Sequence, residues 1–332
     1  MEWGDGPVRV RVRVPATSAN LGPGFDSLGL ALTLYDDVEV EITGAPGLSI
    51  EVSGEGAEVA DRGETHLIVQ VLRRTLDVID KLAPAGLGQP AGLRLSCVNR
   101  IPHSRGLGSS SAAIVAGISA ARALHPYGRL LDDDAALALA TAVEGHPDNV
   151  APCLAGGLTI AWTPDARPAA DSRAAADVPA GGGFPAGAPR LVRLDLETEV
   201  VAFVPDQRLA TERARGLLPD VVPHSDAAAN AGRAALLIAA LTQGLGPDVL
   251  LDATADRLHQ PYRAPAMPES AALVDTLREA GVPAVISGAG PTVLAFTSAS
   301  QTDSIGPELG TSWHKHRLNV DPHGACVQLD GS

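Results

Sequence analysis

The sequence predicts a fold that mixes α-helices with β-strands in both halves of the chain. Three observations carry that expectation. Strict two-residue alternation opens the chain, as in residues 8–14, "VRVRVRV". Several later stretches space their apolar residues as a helix does. Glycine-rich turns then fall between a strand-like and a helix-like segment, as in "PHSRGLGSSSAA" (102–113).

Each element follows in order. In residues 8–14, Val8, Val10, Val12 and Val14 share one face and Arg9, Arg11 and Arg13 the other, which predicts a half-buried strand with a solvated arginine face. Pro15 is expected to stop it, and "ATSANLGPGFDSLG" (16–29) to be loop. "DDVEVEIT" (36–43) alternates again as a second strand. Residues 65–79 predict a helix, 93–98 a strand, and 109–124 a helix after the loop 99–108. Residues 132–145 predict a helix with acidic residues at its positive end and Gly145 at its close. A short stretch, "HPDNVAP" (146–152), precedes a strand at 157–162. Residues 164–190 form a Pro/Ala/Gly-rich tract without periodicity, expected to be a flexible insertion between a first domain at 5–163 and a second at 191–332. Beyond it come a strand at 199–205, helices at 226–243, 248–258 and 269–280, and a strand–glycine turn–strand at 283–297.

Composition narrows the function. With 45% hydrophobic residues over 332 positions, the chain can bury a real core, and with 3% aromatics that core is aliphatic. A net charge of −14 is a poor match to nucleic acid or an anionic membrane surface. Any phosphate must therefore be held locally. Cys97, Cys153 and Cys326 are odd in number and form no CxxC pair, which argues against a disulfide framework or zinc site and suits a reducing compartment. No apolar run is long enough to span a bilayer and the N-terminus lacks a signal-peptide pattern, so a soluble, cytoplasmic protein is expected.

The loop at 102–113 is the chemical signal. Glycines let the backbone close on phosphate oxygens, and a helix start offers unpaired N–H groups and a partial positive charge. A serine hydroxyl there can cap the helix or ligate Mg²⁺. Neither the GKS/GKT of a P-loop nor the GxGxxG of a dinucleotide fold is present. Alone, such a turn is equally an ordinary capped helix.

Two further motifs fall in order with it: "PATSANLGPGFDSLGLAL" (15–32) and "SGAGPTV" (287–293). Together the three resemble the GHMP kinases, ATP-dependent kinases of small metabolites. "SANLGPGFD" (18–26), "EGHPDNVAP" (144–152), "TERARGLLP" (211–219) and "LHQPYR" (258–263) are similar to the branch that phosphorylates L-homoserine. The resemblance covers the chain apart from 164–190 and both ends. It implies an α+β, two-domain GHMP kinase fold, the N-terminal domain like ribosomal protein S5 domain 2 and the C-terminal domain ferredoxin-like. It implies ATP and Mg²⁺ as cofactors, L-homoserine as the small-molecule partner, no nucleic acid or membrane, and a homodimer as a common assembly.

By the same resemblance, Pro102, Ser104, Arg105, Gly106, Leu107, Gly108, Ser109, Ser110 and Ser111 are the ATP-binding residues. Arg215 and Arg263 match the groups that bind the substrate carboxylate, as suits arginine forks. Asp26 matches the ammonium holder, Asn20, His146, Asp148 and Asn149 surround the side chain and hydroxyl, and Gly288 closes the pocket by its backbone. Asn149 and Asp148 are the candidate catalytic residues, Asn149 orienting the hydroxyl and Asp148 positioning substrate or acting as a base. Each has a local alternative: Arg215 as a helix-end residue, Arg263 as a surface arginine, Asp148 and Asn149 as turn formers. The metal site departs from some homoserine-phosphorylating relatives, which carry a glutamate where this chain has Ala138. Glu144 or Ser110 is left to hold the ion. Arg105 reaches a phosphate or, the favoured expectation, points to solvent. Another small alcohol as substrate, and a non-catalytic sensor of the same fold, are the competing readings.

Overall fold

The computed structural model describes residues 3, 8–164, 187–297 and 312–329. The flexible insertion expected at 164–190 lies mostly outside the described residues. Two sheets organise the rest. The first carries strands β1 (Val8–Ala19), β2 (Leu28–Thr43), β3 (Gly47–Gly54), β4 (Gly92–Asn99), β5 (Leu158–Trp162), β6 (Arg190–Leu194) and β11 (Cys326–Leu329), in the path β11-β1-β2-β4-β3, with β5 joining β2 to β6. The second carries β7 (Glu199–Pro205), β8 (Ala284–Ile286), β9 (Val293–Ala295) and β10 (Trp313–Asn319) in the order β10-β7-β9-β8, all antiparallel. Segments from both sides of the 164–190 tract thus build the first sheet.

Alternation does what the sequence implies at β1. Val10, Val12 and Val14 are buried, in one core with Ile114, Val115 and Ile118 of helix α2 (Ser109–Leu124). The outward arginines meet acids across the strand pair: Arg11 bonds Glu39 at 2.7 Å and Arg13 bonds Asp37 at 2.7 Å. Pro15, however, does not end the strand. β1 runs on to Ala19, and its register against β2 shifts between Pro15 and Ala16. A bulge is where a strand accommodates a residue that lacks an N–H. This continuation delivers Thr17, Ser18 and Asn20 to the far end of the sheet.

Helices α1 (Leu67–Leu82), α3 (Asp133–Glu144) and α4 (Pro147–Ala155) complete the N-terminal layer. Asp132 caps α3, accepting from the Ala135 amide at 2.8 Å, and Gly145 closes it at φ +96°. "HPDNVAP" is part of α4 rather than an isolated short stretch; Pro147 sits at its first turn, where the missing N–H costs nothing, and Pro152 hides the helix from a propensity reading. In the C-terminal half lie α5 (Thr211–Arg215), α6 (His224–Gln243), α7 (Pro247–Ala253), α8 (Gln260–Arg263) and α9 (Pro268–Glu279). The helix expected over 248–258 stops at Ala253. Asp256 then turns the chain, accepting from the amides of Leu258, His259 and Gln260. No helix among the described residues is long and apolar enough to cross a membrane.

Candidate active site

The phosphate-type loop is built by close approach of three chain segments. The Thr17 amide donates to the Leu107 carbonyl at 3.1 Å, and Ser287 Oγ bonds both Ser18 Oγ (2.8 Å) and the Gly106 carbonyl (2.6 Å). A side chain on Gly106 would strike the Ser287 carbonyl, and one on Gly108 would strike Thr17 Oγ1. Gly108 is the left-handed residue (φ +70°) that starts α2, whose first intrahelical bond runs from the Ala112 amide to the Gly108 carbonyl. The amides of Ser109, Ser110 and Ser111 precede that bond, and no side chain caps them. The serine hydroxyls do not cap the helix: Ser110 and Ser111 donate to the two oxygens of Glu144, at 2.9 and 3.0 Å. A ring of hard oxygen donors therefore stands beside an uncapped helix N-terminus. Asp36 fixes the loop from behind, its Oδ1 accepting from the Arg100 and Ile101 amides at 2.6 and 2.9 Å; burial, against those bonds, raises its pKa.

A cleft of about 130 Å³ opens at this point, lined by Asn20, Ser104, Gly106, Gly108, Ser109, Ser110, Glu144, His146, Asp148, Asn149, Thr211, Arg215, Arg263, Gly288 and Ala289. Most residues singled out in the sequence thus converge, across up to 268 positions of chain, as Asn20 Nδ2 donates to the Gly288 carbonyl at 2.8 Å. Asn20 (φ +68°) also accepts from the Asp26 amide at 2.9 Å and so holds the 20–26 turn. Asn149 Oδ1 accepts from Thr17 Oγ1 at 2.8 Å, which leaves its amide N–H groups for the cleft. Asp148 is 1% exposed and forms a hydrogen bond with His146. Burial alone would lower the His146 pKa, but the Asp148 bond and charge outweigh it and the pKa is raised.

The two arginines differ. Arg215, at the end of α5, pairs with Asp26 through both Nη atoms, at 2.8 and 3.3 Å. Arg263 is no surface residue: it is 2% exposed, its Nη1 lies 3.2 Å from both the Gly288 carbonyl and His259 Nδ1, and its Nε has no hydrogen-bond partner among the described residues. Burial first, then the charge of Arg215, lowers its pKa. Among the described residues no carboxylate forms an ion pair with it.

Some expected residues serve elsewhere. Arg105 turns away from the cleft but not to solvent; its side chain, 12% exposed, donates to the Pro205 and Asp206 carbonyls at 2.8 and 3.1 Å and ties the loop to β7. Pro102 and Leu107 are buried behind the loop. Ala138 offers no ligand, and no trio of His, Cys, Asp or Glu arranged for a metal exists among the described residues. Thr17, Asp36, Thr211 and Asn230 escaped the sequence reading. Buried Asn230 donates to the Pro23 carbonyl and accepts from the Arg257 amide, pinning the 20–26 turn to α6.

A second cavity, about 250 Å³, shares Ser104, Ser109 and Ser110 with the cleft; Val14, Val38, Leu67, Ile68, Cys97, Ala112 and Ala113 give it an apolar wall, and Asp36, Asn99, His66 and His103 add polar groups. His66 Nδ1 is buried with no hydrogen-bond partner among the described residues, and burial lowers its pKa. A larger cavity, about 640 Å³, lies at the opposite end of α2 and contains none of these residues. Convergent polar groups, not size, mark the site.

An uncapped helix N-terminus, a glycine loop, a serine–glutamate oxygen cluster and an adjoining pocket of mixed charge define an ATP-dependent small-molecule kinase. The chain matches the GHMP kinases N terminal domain over residues 66–157 and the GHMP kinases C terminal domain over 227–315. It is 54% identical to the homoserine kinase of Streptomyces coelicolor over 96% of this chain and 94% of that one. It is 47% identical to the homoserine kinase of Clavibacter michiganensis over 97% and 94% of the two chains. The crystal structure of homoserine kinase from Cytophaga hutchinsonii superposes with a TM-score of 0.76 at 24% identity, covering 96% of this chain and 97% of that one, and shares the fold. The chain belongs to the homoserine kinases of the GHMP kinase family.

Proposed function

We propose that this chain transfers the γ-phosphate of ATP to the side-chain hydroxyl of L-homoserine, giving O-phospho-L-homoserine and ADP. One observation carries the substrate assignment: Arg215, paired with Asp26, lines the same cleft as a buried Arg263 with which, among the described residues, no carboxylate forms an ion pair. One acid and two cations complement an α-amino acid zwitterion. The substrate ammonium goes to Asp26, and its carboxylate to the forks of Arg215 and Arg263. An alcohol without an α-carboxylate leaves the buried arginine unmatched.

In this reading the amides of Ser109, Ser110 and Ser111 receive the phosphates with Gly106 and Gly108, and the second cavity takes the adenine, its apolar wall against the ring and His66 Nδ1 as an acceptor for the exocyclic amine. Glu144 and Ser110 fit Mg²⁺ as hard oxygen donors; an ion that keeps waters and takes phosphate oxygens needs few protein ligands. When bound, it neutralises charge on the phosphates. Asn149, its oxygen held by Thr17, donates an N–H to the homoserine hydroxyl oxygen and turns it toward the γ-phosphorus. The bond to that oxygen forms as the bond to ADP breaks, and the hydroxyl proton leaves to phosphate oxygens. Asp148, committed to His146, positions substrate. Phosphoryl transfer rests mainly on such positioning and charge neutralisation.

The two-domain division, 5–163 for ATP and 191–332 for the arginines, belongs to this proposal, as does a reducing cytoplasm for its three free thiols. The test is ADP release with ATP and Mg²⁺ on L-homoserine, D-homoserine, L-threonine and mevalonate in parallel. Turnover confined to L-homoserine is expected. Faster turnover on another acceptor keeps the kinase and refutes the substrate; silence on all four refutes the enzyme.

A further inference from the structure

Arg263 is held in an unusual way. A buried guanidinium normally meets a carboxylate, because an unpaired buried charge is costly. Here the groups in direct contact are neutral: the Gly288 carbonyl, the face of Phe25 (5.3 Å from Cζ to the ring centre) and the imidazole of His259, while Asp26, Asp256 and Asp148 act on it only from beyond ion-pair distance, Asp256 Oδ2 lying 3.5 Å from His259 Nε2. The His259 ring is itself stacked on Phe25, at 5.2 Å and 27°.

The hydrogen-bond roles at His259 are determined by its partners. Arg263 Nη1 can only donate, so His259 Nδ1, 3.2 Å away, must accept and carries no proton. The Gly22 carbonyl can only accept, so Nε2, 2.8 Å away, carries the proton. The ring is fully buried, and Asp256 binds its backbone amide at 3.0 Å. One imidazole thus links the Gly22 turn, which leads into Asn20 and Asp26, to the arginine that faces the cleft.

We infer that His259 is a positioning residue for homoserine binding: as a neutral acceptor it aims the Arg263 guanidinium at the cleft without forming an ion pair with it, so that the direct partner is left to be the substrate carboxylate. A carboxylate at this position would aim the arginine equally well but neutralise it. A protonated imidazole would turn an N–H toward an N–H. The inference rests on the homoserine reading above, and His259, although it lies in the "LHQPYR" motif, carries no role in that reading.

The test separates the two ring nitrogens. In His259→Asn the amide oxygen falls near Nδ1 and keeps an acceptor for Arg263. In His259→Gln the amide nitrogen reaches the Nε2 position and keeps the Gly22 bond but no acceptor for Arg263. The expected result is a homoserine KM raised about tenfold or more in H259Q, with kcat within about twofold and the ATP KM unchanged, and most of that loss recovered in H259N. Equal effects of the two variants, or an ATP KM that rises in parallel, would overturn the inference.

Should H259Q not fold, the pH profile decides. The groups facing His259 are Asp256, Arg263 and Asp26, and burial with Arg263 outweighs the acids and lowers its pKa from the ordinary 6.5. The wild-type homoserine KM should climb only as pH falls through that lowered pKa, and that of H259N should lack this climb. The same climb in both would also refute the idea. Wild-type turnover on L-homoserine is the control: its absence refutes the substrate reading, whereas its presence with indistinguishable variants refutes only the role of His259.

Discussion

Replacing Arg263 with methionine should remove homoserine binding while leaving the fold almost as stable. The side chain is 2% exposed, with a free Nε and an Nη1 shared between two neutral acceptors. A hydrogen bond to a charged group contributes about 1.5–3 kcal/mol, so losing one at ~2 kcal/mol weakens binding about 30-fold, and losing a two-bond fork up to ~10³-fold. Stability moves little because two terms oppose. Removing a buried cation that has no ion-pair partner relieves desolvation. Stripping His259 Nδ1 of its donor costs about 1–3 kcal/mol. The Tm should therefore stay within about 3 °C of wild type. The assay is initial rates against homoserine and ATP separately, with thermal melts with and without homoserine. Wild type should be stabilised by saturating homoserine, by about 2.7 kcal/mol at a hundred times Kd, and R263M should not. A homoserine KM unchanged in a folded R263M, or a Tm collapse with both KM values raised together, would refute the reasoning.

Other expectations are narrower. Glu144→Ala, by removing the shared acceptor of Ser110 and Ser111, should raise the Mg²⁺ concentration for half-maximal rate about tenfold without moving the homoserine KM; a metal titration reads this. His66→Leu should raise the ATP KM several-fold for one lost hydrogen bond of about 1 kcal/mol and leave homoserine untouched, as steady-state kinetics would reveal. Gly108→Ala should destabilise by about 1–2 kcal/mol from its left-handed backbone, and should also lower kcat because the methyl presses on Thr17 and Asn149, both measurable on one preparation. For His146, the folded-state pKa lies above the unfolded 6.5, so the Asp148 bond stabilises fully below that value and is lost as pH rises through the raised one. The stability difference between wild type and His146→Gln should thus be larger at pH 5.5 than at pH 8.5, both roughly chosen to bracket it, and chemical denaturation at the two pH values would show the reverse if the pair were misread.

What the sequence revealed follows the range of the interactions. α2 was legible to its ends because the glycine loop and the alanines after it act locally, and α3 because Asp132 and Gly145 are local caps. The run of β1 past Pro15 was not, since the strand survives there only through its pairing with β2, and the exposed four-residue β11 has no pattern beyond its place on the edge of β1. The site divides the same way. Residues in short motifs were found, though those motifs carried meaning through resemblance. Asp36 and Thr17 were missed because each acts on a backbone or side chain distant in sequence; His259 sits four residues before Arg263, but its orientation is fixed by the distant Gly22 carbonyl, which no local pattern announces. Arg105 was misjudged for the same reason: the carbonyls that hold it are about a hundred positions away.

The free pocket also states what binding must change. Asp26 and Arg215 are already partners, so each must exchange its internal counterion for the matching end of the substrate. That exchange conserves charge pairs, and the pair is partly exposed, so little is lost in breaking it. Arg263 has no such partner to give up. The net gain on binding therefore falls on the buried arginine, whereas the pair at the mouth selects for a substrate that brings both charges. A homoserine analogue lacking the ammonium would leave Asp26 and Arg215 bound to each other and reach only Arg263. A homoserine amide would leave Arg263 unmatched. The amide should thus be the poorer of the two, an order that a pocket reading substrate mainly through Asp26 would reverse.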